Sequence, residues 1–415
     1  MPEATATPLA LEAPKDNPHC VLMSDTDFDV AVVGAGPAGL VAACLAAARG
    51  FTTAMITGPQ AERPDPRTVA LMMPSLAVLA ECGLWPGALK DMTAPLRKLR
   101  LIDDTGSLIS APELTFAARE LGLEAFGWNI PLVVLKPALE ARAEALGVRF
   151  FRDSVAGFAV QGDKATLSLG NGALLSARLA LAADGRNSLL RRAIGINTIS
   201  WTYDQSAIAV SFAHSHPHRD VSCEYHKPAG PFTTVPLPGQ RSSLVWMETP
   251  ARAQALMTLD DASLAAEIQA SSHGELGRIS DVGPRQSFPM SGARAEIFAR
   301  DRVMLIGETA HVVPPIGAQG LNMSLRDAAE AIALASAARE AGEDIASPKV
   351  LGDYDRRRQR DVRPRQTMID LMNRSLLSGF LPLEAGRAAG LAALSSFGPL
   401  RRFAMSAGLG RAVQS

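Results

Sequence analysis

Cysteine is scarce in this 415-residue chain. Only Cys20, Cys44, Cys82 and Cys223 occur, and no two stand at a spacing that suggests a pair. That argues against a zinc site or a disulfide framework and fits a reducing compartment. An excess of one charge is missing too: 41 Lys and Arg face 42 Asp and Glu, a net charge of −1. Bulk electrostatics therefore give no reason to expect nucleic-acid binding. No apolar run reaches the length of a membrane span. Residues 1–26 lack the basic start and apolar stretch of a signal peptide; rich in Pro, Ala, Thr and acids, they are expected to form a disordered N-terminal extension. No internal repeat is evident.

What is present suits a globular α/β protein with two domains and a large core: 47% of residues are hydrophobic and 20% charged. Phe28 to Val33 is a short apolar run that reads as a buried strand. Gly34-Ala35-Gly36-Pro37-Ala38-Gly39 follows at once, and Leu40 to Arg49 is Ala- and Leu-rich and helical. This is the strand–turn–helix setting of a dinucleotide fingerprint. Gly34 permits the tight turn, Gly36 lets backbone approach a pyrophosphate, and Gly39 lets helix and strand close together. The next strand, Thr52 to Ile56, should end on an acid that binds a ribose, but position 57 is Thr.

Two further stretches have the same character. Ala183-Asp184-Gly185-Arg186-Asn187 follows the apolar run Arg178 to Ala182. Gly307-Glu308-Thr309-Ala310-His311, after the strand Arg302 to Ile306, runs on to Pro314-Pro315-Ile316-Gly317-Ala318-Gln319-Gly320-Leu321-Asn322 and a long Ala-rich helix, Ser324 to Arg339. Ser75 to Cys82 and Leu135 to Leu146 read as helices. Leu99 to Ile102 and Leu108 to Ser110 read as a hairpin, and the runs from Val148 to Ala177 as antiparallel sheet. Short strands and turns dominate from Ser200 to about Pro289. The order implies a cofactor domain over 27–199, a sheet-rich substrate domain over 200–290, a return to the cofactor domain over 291–345 and a helical region over 346–415.

These motifs resemble class A FAD-dependent aromatic hydroxylases of the p-hydroxybenzoate hydroxylase fold. Asp65-Pro66-Arg67-Thr68-Val69-Ala70-Leu71, Gly320 to Ala328 and Tyr354-Asp355-Arg356-Arg357-Arg358 are most similar to the ubiquinone-biosynthesis hydroxylases. The resemblance runs from about residue 28 to 375. It implies a Rossmann-like FAD-binding domain with an inserted, largely antiparallel sheet and C-terminal helices. It places Gly34, Gly36, Pro37, Ala38 and Gly39 against the FAD pyrophosphate, with Asp184 and Gly185 close by and Arg67 toward the flavin. Gly307 and Glu308 would meet the ribityl chain, where the family carries Asp. Gly320, Leu321 and Asn322 would complete the cofactor contacts, and Pro315 and Gly317 would lie against the reactive face of the ring through their backbone. His311 is expected to be structural, because the flavin does the chemistry.

The implied reaction is ring hydroxylation by a flavin hydroperoxide, with molecular oxygen as co-substrate and NAD(P)H or another donor as transient reductant. No second glycine fingerprint offers a nicotinamide its own domain. Tyr225, Trp246, Phe288 and Met290 are the candidate substrate wall, and an apolar wall suits a prenylated phenol. A flavin hydroxylase of secondary metabolism, an isoprenoid reductase and a noncatalytic flavoprotein scaffold share the cofactor motifs; the intact loop from Pro315 to Asn322 argues against the scaffold. His214, His216 and His218 alternate as strand ligands would, but Pro217 interrupts them, and a solvent loop without metal is expected.

Arg356 to Ser415 holds eleven Arg and three acids, so 11 − 3 gives +8, and the rest of the chain carries −9. With Leu376, Leu377, Phe380, Phe397, Leu400 and Phe403 in the same stretch, the end of the chain suits an anionic membrane surface or a partner in a quinone-biosynthesis complex. The chain is accordingly expected in the cytoplasm, peripheral to the inner face of the membrane, and able to form homo-oligomers.

Overall fold

The structure, a computed structural model, describes residues 26–58, 65–87, 89–106, 111–377, 390, 393–394 and 396–409. The N-terminal extension and the expected strand Leu108 to Ser110 lie outside these residues, Thr26 apart.

The first sheet is built on parallel strands. Its main path runs β18 (Ala299–Arg300), β19 (Val303–Leu305), β11 (Leu174–Ala182), β1 (Asp27–Val33), β2 (Thr53–Ile56), β8 (Arg149–Phe151). The strands β19, β11, β1, β2 and β8 are parallel, and β9 (Val155–Gln161) and β10 (Lys164–Leu169) add an antiparallel flap to β11. The expected antiparallel run from 148 thus starts one strand later, because β8 pairs with β2 in parallel. Buried on both faces, β1 and β2 carry Val30, Val32, Met55 and Ile56 in one core with α1 (Pro37–Ala48), which packs in turn on α3 (Leu132–Ala145) and α7 (Gln319–Glu340).

A nine-stranded sheet packs beside it in the order β20 (His311–Val312), β17 (Gln286–Ala295), β12 (Thr198–His214), β15 (Arg241–Glu248), β14 (Gly230–Leu237), β13 (Val221–Lys227), β5 (Lys98–Asp103), β6 (Leu114–Ala117), with β16 (Ile279–Ser280) on β12. Strands from before residue 200 and after 290 therefore join the sheet expected over 200–290. The hairpin partner of β5 is β6, four residues beyond the expected run. Between β15 and β17 stand two helices the alternating pattern did not reveal, α5 (Pro250–Thr258) and α6 (Asp261–Ser271). Each opens on a side-chain cap: Thr249 accepts from the Arg252 N–H and Asp260 from the Ser263 N–H.

A third, small sheet, β3 (Thr68–Met72), β7 (Gly127–Pro131) and β4 (Ala94–Pro95), with α2 (Met73–Glu81), lies between the two. Thr68 hydroxyl donates to Ser243 Oγ at 2.8 Å and Asn129 Nδ2 donates to the Pro236 carbonyl at 2.9 Å, tying it to the large sheet. The long helix α8 (Pro348–Leu377) runs along α7, and α9 (Gly398–Leu409) caps the turn Ala118–Leu121. A short helix, α4 (Leu189–Ala193), follows the second motif.

Candidate functional site

Four neighbouring parallel strands end on one rim, and each hands over to a residue singled out from the sequence. β1 leads to Gly34, β2 to Thr57, β11 to Ala183 and Asp184, and β19 to Gly307. Adjacent strands lie about 4.8 Å apart, so segments up to 270 residues apart in sequence are brought side by side. Backbone bonds lock the rim: Gly34 N–H to Ile56 carbonyl at 2.9 Å, Ala183 N–H to Val33 carbonyl at 2.8 Å, Ile306 N–H to Ala182 carbonyl at 2.8 Å. Ligands of open α/β sheets bind outside this end of the strands.

The glycines do different jobs. Gly34 has φ +109°, and a Cβ there would stand 2.2 Å from the Ala183 carbonyl oxygen. A Cβ on Gly39 would stand 1.9 Å from the Gly34 carbonyl oxygen. Both are needed for close approach of backbone to backbone. Gly36 is different: nothing lies within 4 Å of a Cβ built there. It faces open space at the start of α1, whose first N–H groups have no side-chain cap.

The second and third motifs are stitched together. Thr309 Oγ1 accepts from the Gly185 N–H at 2.9 Å, and the Asp184 carboxylate accepts from the Leu189 N–H at 2.9 Å. Arg191, which is buried, donates to the carbonyls of Thr309 at 2.9 Å and Arg186 at 2.7 Å. Asp184 thus shapes the turn before α4, and Gly185, φ +82° with open space before it, faces outward. Glu308 pairs with Arg186 Nε at 2.9 Å beside a cleft of about 290 Å³ that also takes in Trp201, Ser291, Gly292 and His311.

Beneath the third motif lies a buried charged cluster. Asp327 Oδ2 accepts from the Gly307 N–H at 2.9 Å and bonds His311 Nε2 at 2.7 Å; Oδ1 accepts from Arg358 Nε at 2.7 Å. Burial pushes the Asp327 carboxyl up, but His311 and Arg358 outweigh it and hold the group below its ordinary range. Tyr354 hydroxyl donates to the Leu305 carbonyl at 2.7 Å, one turn earlier on α8. Tyr354 and Arg358, singled out only as a resemblance, therefore brace the Gly307 turn from below. His311, expected to be structural, is buried and bonded to Asp327. The signal that could have revealed the cluster is a carboxylate on the Ala-lined buried stripe of α7, which demands a cation.

The loop after β20 turns on Ile316, which is buried, while Pro315 and Gly317 on either side are exposed. Gly317 has φ +60° and Ala318 φ 54°, a left-handed pair that starts α7 with no side-chain cap. Asn322 is saturated: Oδ1 accepts from Met72 N–H at 2.9 Å and Ser75 hydroxyl at 2.6 Å, and Nδ2 donates to the Ala70 carbonyl at 2.8 Å and Ala318 at 2.6 Å. Its side chain fixes the loop to β3 and α2, leaving only backbone for a ligand. Arg67 stays near the mouth: it forks onto Asp65, and its guanidinium lies 5.1 Å over the Phe288 ring. The Asp65 bond first, and the charge of Glu308 after it, hold Arg67 above its usual value.

The four candidate substrate residues fall on opposite faces of the large sheet. Met290 packs with Ala207, Met247, Ile316 of the loop and Ile369 of α8, and Phe288 sits across from Ala207 two residues away. Tyr225 and Trp246 point the other way, into a core with Phe212, Phe232, Leu256 and Ile268 under α5 and α6. Tyr225 hydroxyl is spent on Glu275 at 3.0 Å. Strand alternation sends these two side chains away from the loop, so they do not line it. Val210 and Phe212 follow them.

Nor does His214 sit in a solvent loop. It is buried at the end of β12, bonded to Ser242 Oγ at 3.0 Å and the His216 carbonyl at 2.7 Å. Among the described residues no group of His, Cys, Asp and Glu could hold a metal ion.

The residues present fit FAD. Open space stands before Gly36 and Gly185 where a pyrophosphate needs it, and two helices, α1 and α7, start without a side-chain cap. At the end of β2 the Thr57 hydroxyl is buried without a hydrogen-bond partner, where a ribose contact is due.

A family model described as FAD binding domain matches residues 27–366. Ubiquinone hydroxylase UbiL of Rhodospirillum rubrum is 30% identical over 397 residues, covering 93% of this chain and 90% of that protein. The 3-demethoxyubiquinol 3-hydroxylase of Escherichia coli is 30% identical over 397 residues, covering 94% of this chain and 100% of its own length. Among solved structures, p-nitrophenol 4-monooxygenase PnpA of Pseudomonas putida matches with a TM-score of 0.75 at 21% identity, over 93% of this chain and 99% of the other. That last likeness speaks to the fold.

Proposed function

The chain belongs to the FAD-binding-domain family, and from that premise we propose that it hydroxylates the ring of a polyprenylated phenol in ubiquinone biosynthesis. It is an FAD-dependent monooxygenase. The observation that carries the reading is the convergence of Gly34, Thr57, Asp184 and Gly307 on one rim. Bound FAD would supply the two-electron activation of molecular oxygen, with NAD(P)H or another donor as transient reductant.

The chain's own residues do the rest. Gly36, Ala38 and Gly39 bring backbone N–H groups to the pyrophosphate, with Gly34 and Pro37 shaping the turn that presents them and Gly185 beside them. Glu308 and the Gly307 turn meet the ribityl chain. Pro315, Gly317, Gly320 and Leu321 offer backbone to the flavin ring, and the start of α7 favours negative charge on it. Ile316, Met290, Met247 and Phe288 form an apolar wall that keeps water from the reacting atoms and receives the ring. Arg67 stands at the mouth between Phe288 and Glu308.

Deletion of the gene followed by mass spectrometry of quinone precursors tests the assignment. A prenylated phenol one oxygen short should accumulate. Unchanged quinone would remove the pathway role and leave FAD binding standing.

A further inference from the structure

We propose that the cleft beside the Arg186–Glu308 pair is a second nucleotide site, which takes the diphosphate and adjoining ribose of a pyridine-nucleotide electron donor with Arg186 as its anchor. The inference deepens the reading above, since it gives the transient reductant a place on the protein. It rests on that reading for its choice of nucleotide.

The cleft stands apart from the cofactor rim. It holds about 290 Å³, and its floor belongs to the large sheet: Thr198, Ser200 and Thr202 of β12, Ser291 and Ala293 of β17 and Val312 of β20. Among the described residues, none of 34–39 and none of 314–322 lines it. The two sites share one wall, the turn from Glu308 to Ala310. Alternation along β12 sends Thr198, Ser200 and Thr202 to one face, and Ser291 sits across from Thr202 in register. Four hydroxyls therefore form a row along the cleft, each able to donate to a phosphate oxygen or accept from a ribose hydroxyl.

The charge on the walls selects an anion. Two guanidiniums, Arg186 and Arg191, stand against one carboxylate, Glu308, among the lining residues. Arg191 is buried, and its Nε has no hydrogen-bond partner. Burial pulls this guanidinium below its ordinary value, against the opposing charge of Asp184; an anion in the cleft would offset that cost. Arg191 also fixes the frame through its bonds to the Thr309 and Arg186 carbonyls. Arg186 is the movable part. Its Nε meets Glu308 at 2.9 Å and its Nη1 the Ser291 hydroxyl at 3.2 Å, and both members of the ion pair are about half exposed. A pair so exposed is weak, so the guanidinium can turn to an incoming phosphate, which it matches with a two-pronged bond. The volume is at the small end for a ligand site. It takes a diphosphate and a ribose, and the rest of the dinucleotide stays outside. So partial a grip suits a donor that arrives, gives up its electrons and leaves, in a chain with no second glycine fingerprint to hold a nicotinamide permanently.

The test uses the full chain loaded with FAD. Calorimetric titration of the oxidised protein with ADP-ribose, a mimic that carries no electrons, should show binding, and inorganic diphosphate should bind more weakly. Arg186→Ala and Ser200→Glu, both at exposed positions, should each weaken ADP-ribose binding roughly tenfold, and Arg186→Lys less, while FAD content and melting temperature stay unchanged. Equal binding by the variants overturns the proposal. Loss of FAD from either variant overturns it too, because the cleft would then be part of the cofactor's own pocket. Inorganic diphosphate binding as tightly as ADP-ribose overturns it in favour of an adventitious ion only. Anaerobic reduction of the flavin by NADPH and by NADH is followed in parallel, and reduction by neither overturns the choice of nucleotide. The hydroxylase reading is judged apart from this, by reducing the flavin with dithionite and asking whether admission of oxygen hydroxylates a phenol, so the two readings fail independently.

Discussion

Arg358 donates to Asp327 at 2.7 Å where their side chains are only 5% and 0% exposed, and the same carboxylate holds Gly307 and His311. The motif on α8 is thereby joined to the Gly307 turn, proposed above to meet the cofactor. Removing one partner leaves the other as a buried charge, which costs about 3–5 kcal/mol. Arg358→Met should therefore lower the melting temperature and release FAD, while Arg358→Lys keeps the charge and retains more flavin. Thermal unfolding together with flavin fluorescence of the filtrate measures both. A Met variant as stable and as yellow as the parent would show that the cluster does not support the site.

The glycine turn offers a contrast between fold and ligand. At Gly36 an added side chain meets only open space, so Gly36→Asp should fold normally yet fail to retain FAD, its carboxylate taking the place of the diphosphate. At Gly39 a methyl group would collide with backbone at 1.9 Å, so Gly39→Ala should lose solubility or melt several degrees lower. Circular dichroism and flavin content separate the two; a yellow Gly36→Asp protein would contradict the placement.

The two faces of the large sheet should respond differently to substitution. Met290→Ala opens the wall against Ile316 and is expected to raise KM for a phenolic substrate several-fold while the fold persists. Trp246 lies on the far face, and its indole N–H is buried with no partner. A buried unpaired donor costs about 1–3 kcal/mol, so Trp246→Phe should be close to neutral in stability and leave KM alone. Steady-state kinetics decide, and a KM change in Trp246→Phe with none in Met290→Ala would reverse the assignment of faces.

Acid should loosen the junction of α7 and α8. Burial raises the Asp361 carboxyl, but Arg326, Arg358 and Arg365 around it prevail and bring it down to about 2 from 3.8. Its folded value is depressed, so its contribution is complete above pH 3.8 and is lost as pH falls through about 2. Melting temperature followed across that window should drop, and Asp361→Asn should flatten this part of the profile while lowering stability at neutral pH.

The cofactor rim was legible in the sequence because its signals are local. A strand running into Gly34 or Gly307 is visible within ten residues, and so are the helices read from 40 and 324, which start earlier in the structure, at Pro37 and Gln319. Which face of a strand meets the ligand is not local. Alternation along β15 separates Trp246 from Met247, but the choice between them depends on α5 and α6, two helices in a stretch read as strands and turns. What the Asn322 side chain does was hidden for a related reason. Asn322 looks like a ligand residue by its neighbours, yet its amide is consumed by Ala70, Met72 and Ser75, some 250 positions earlier. Buried polar groups find partners wherever the fold brings them, and sequence spacing does not record that.

The order in which the ribosome delivers β19 has a further effect. That strand is among the last elements of its sheet to be synthesised, yet it sits next to β11, which appears over a hundred residues earlier. Until residue 305 emerges, one margin of the nascent sheet stays unpaired and Gly307 has not joined Gly34, so the growing polypeptide presents an open edge that invites aggregation. A flavin site that needs both Gly34 and Gly307 would be completed only once β19 has been made, so translation products ending before it are expected to bind no flavin.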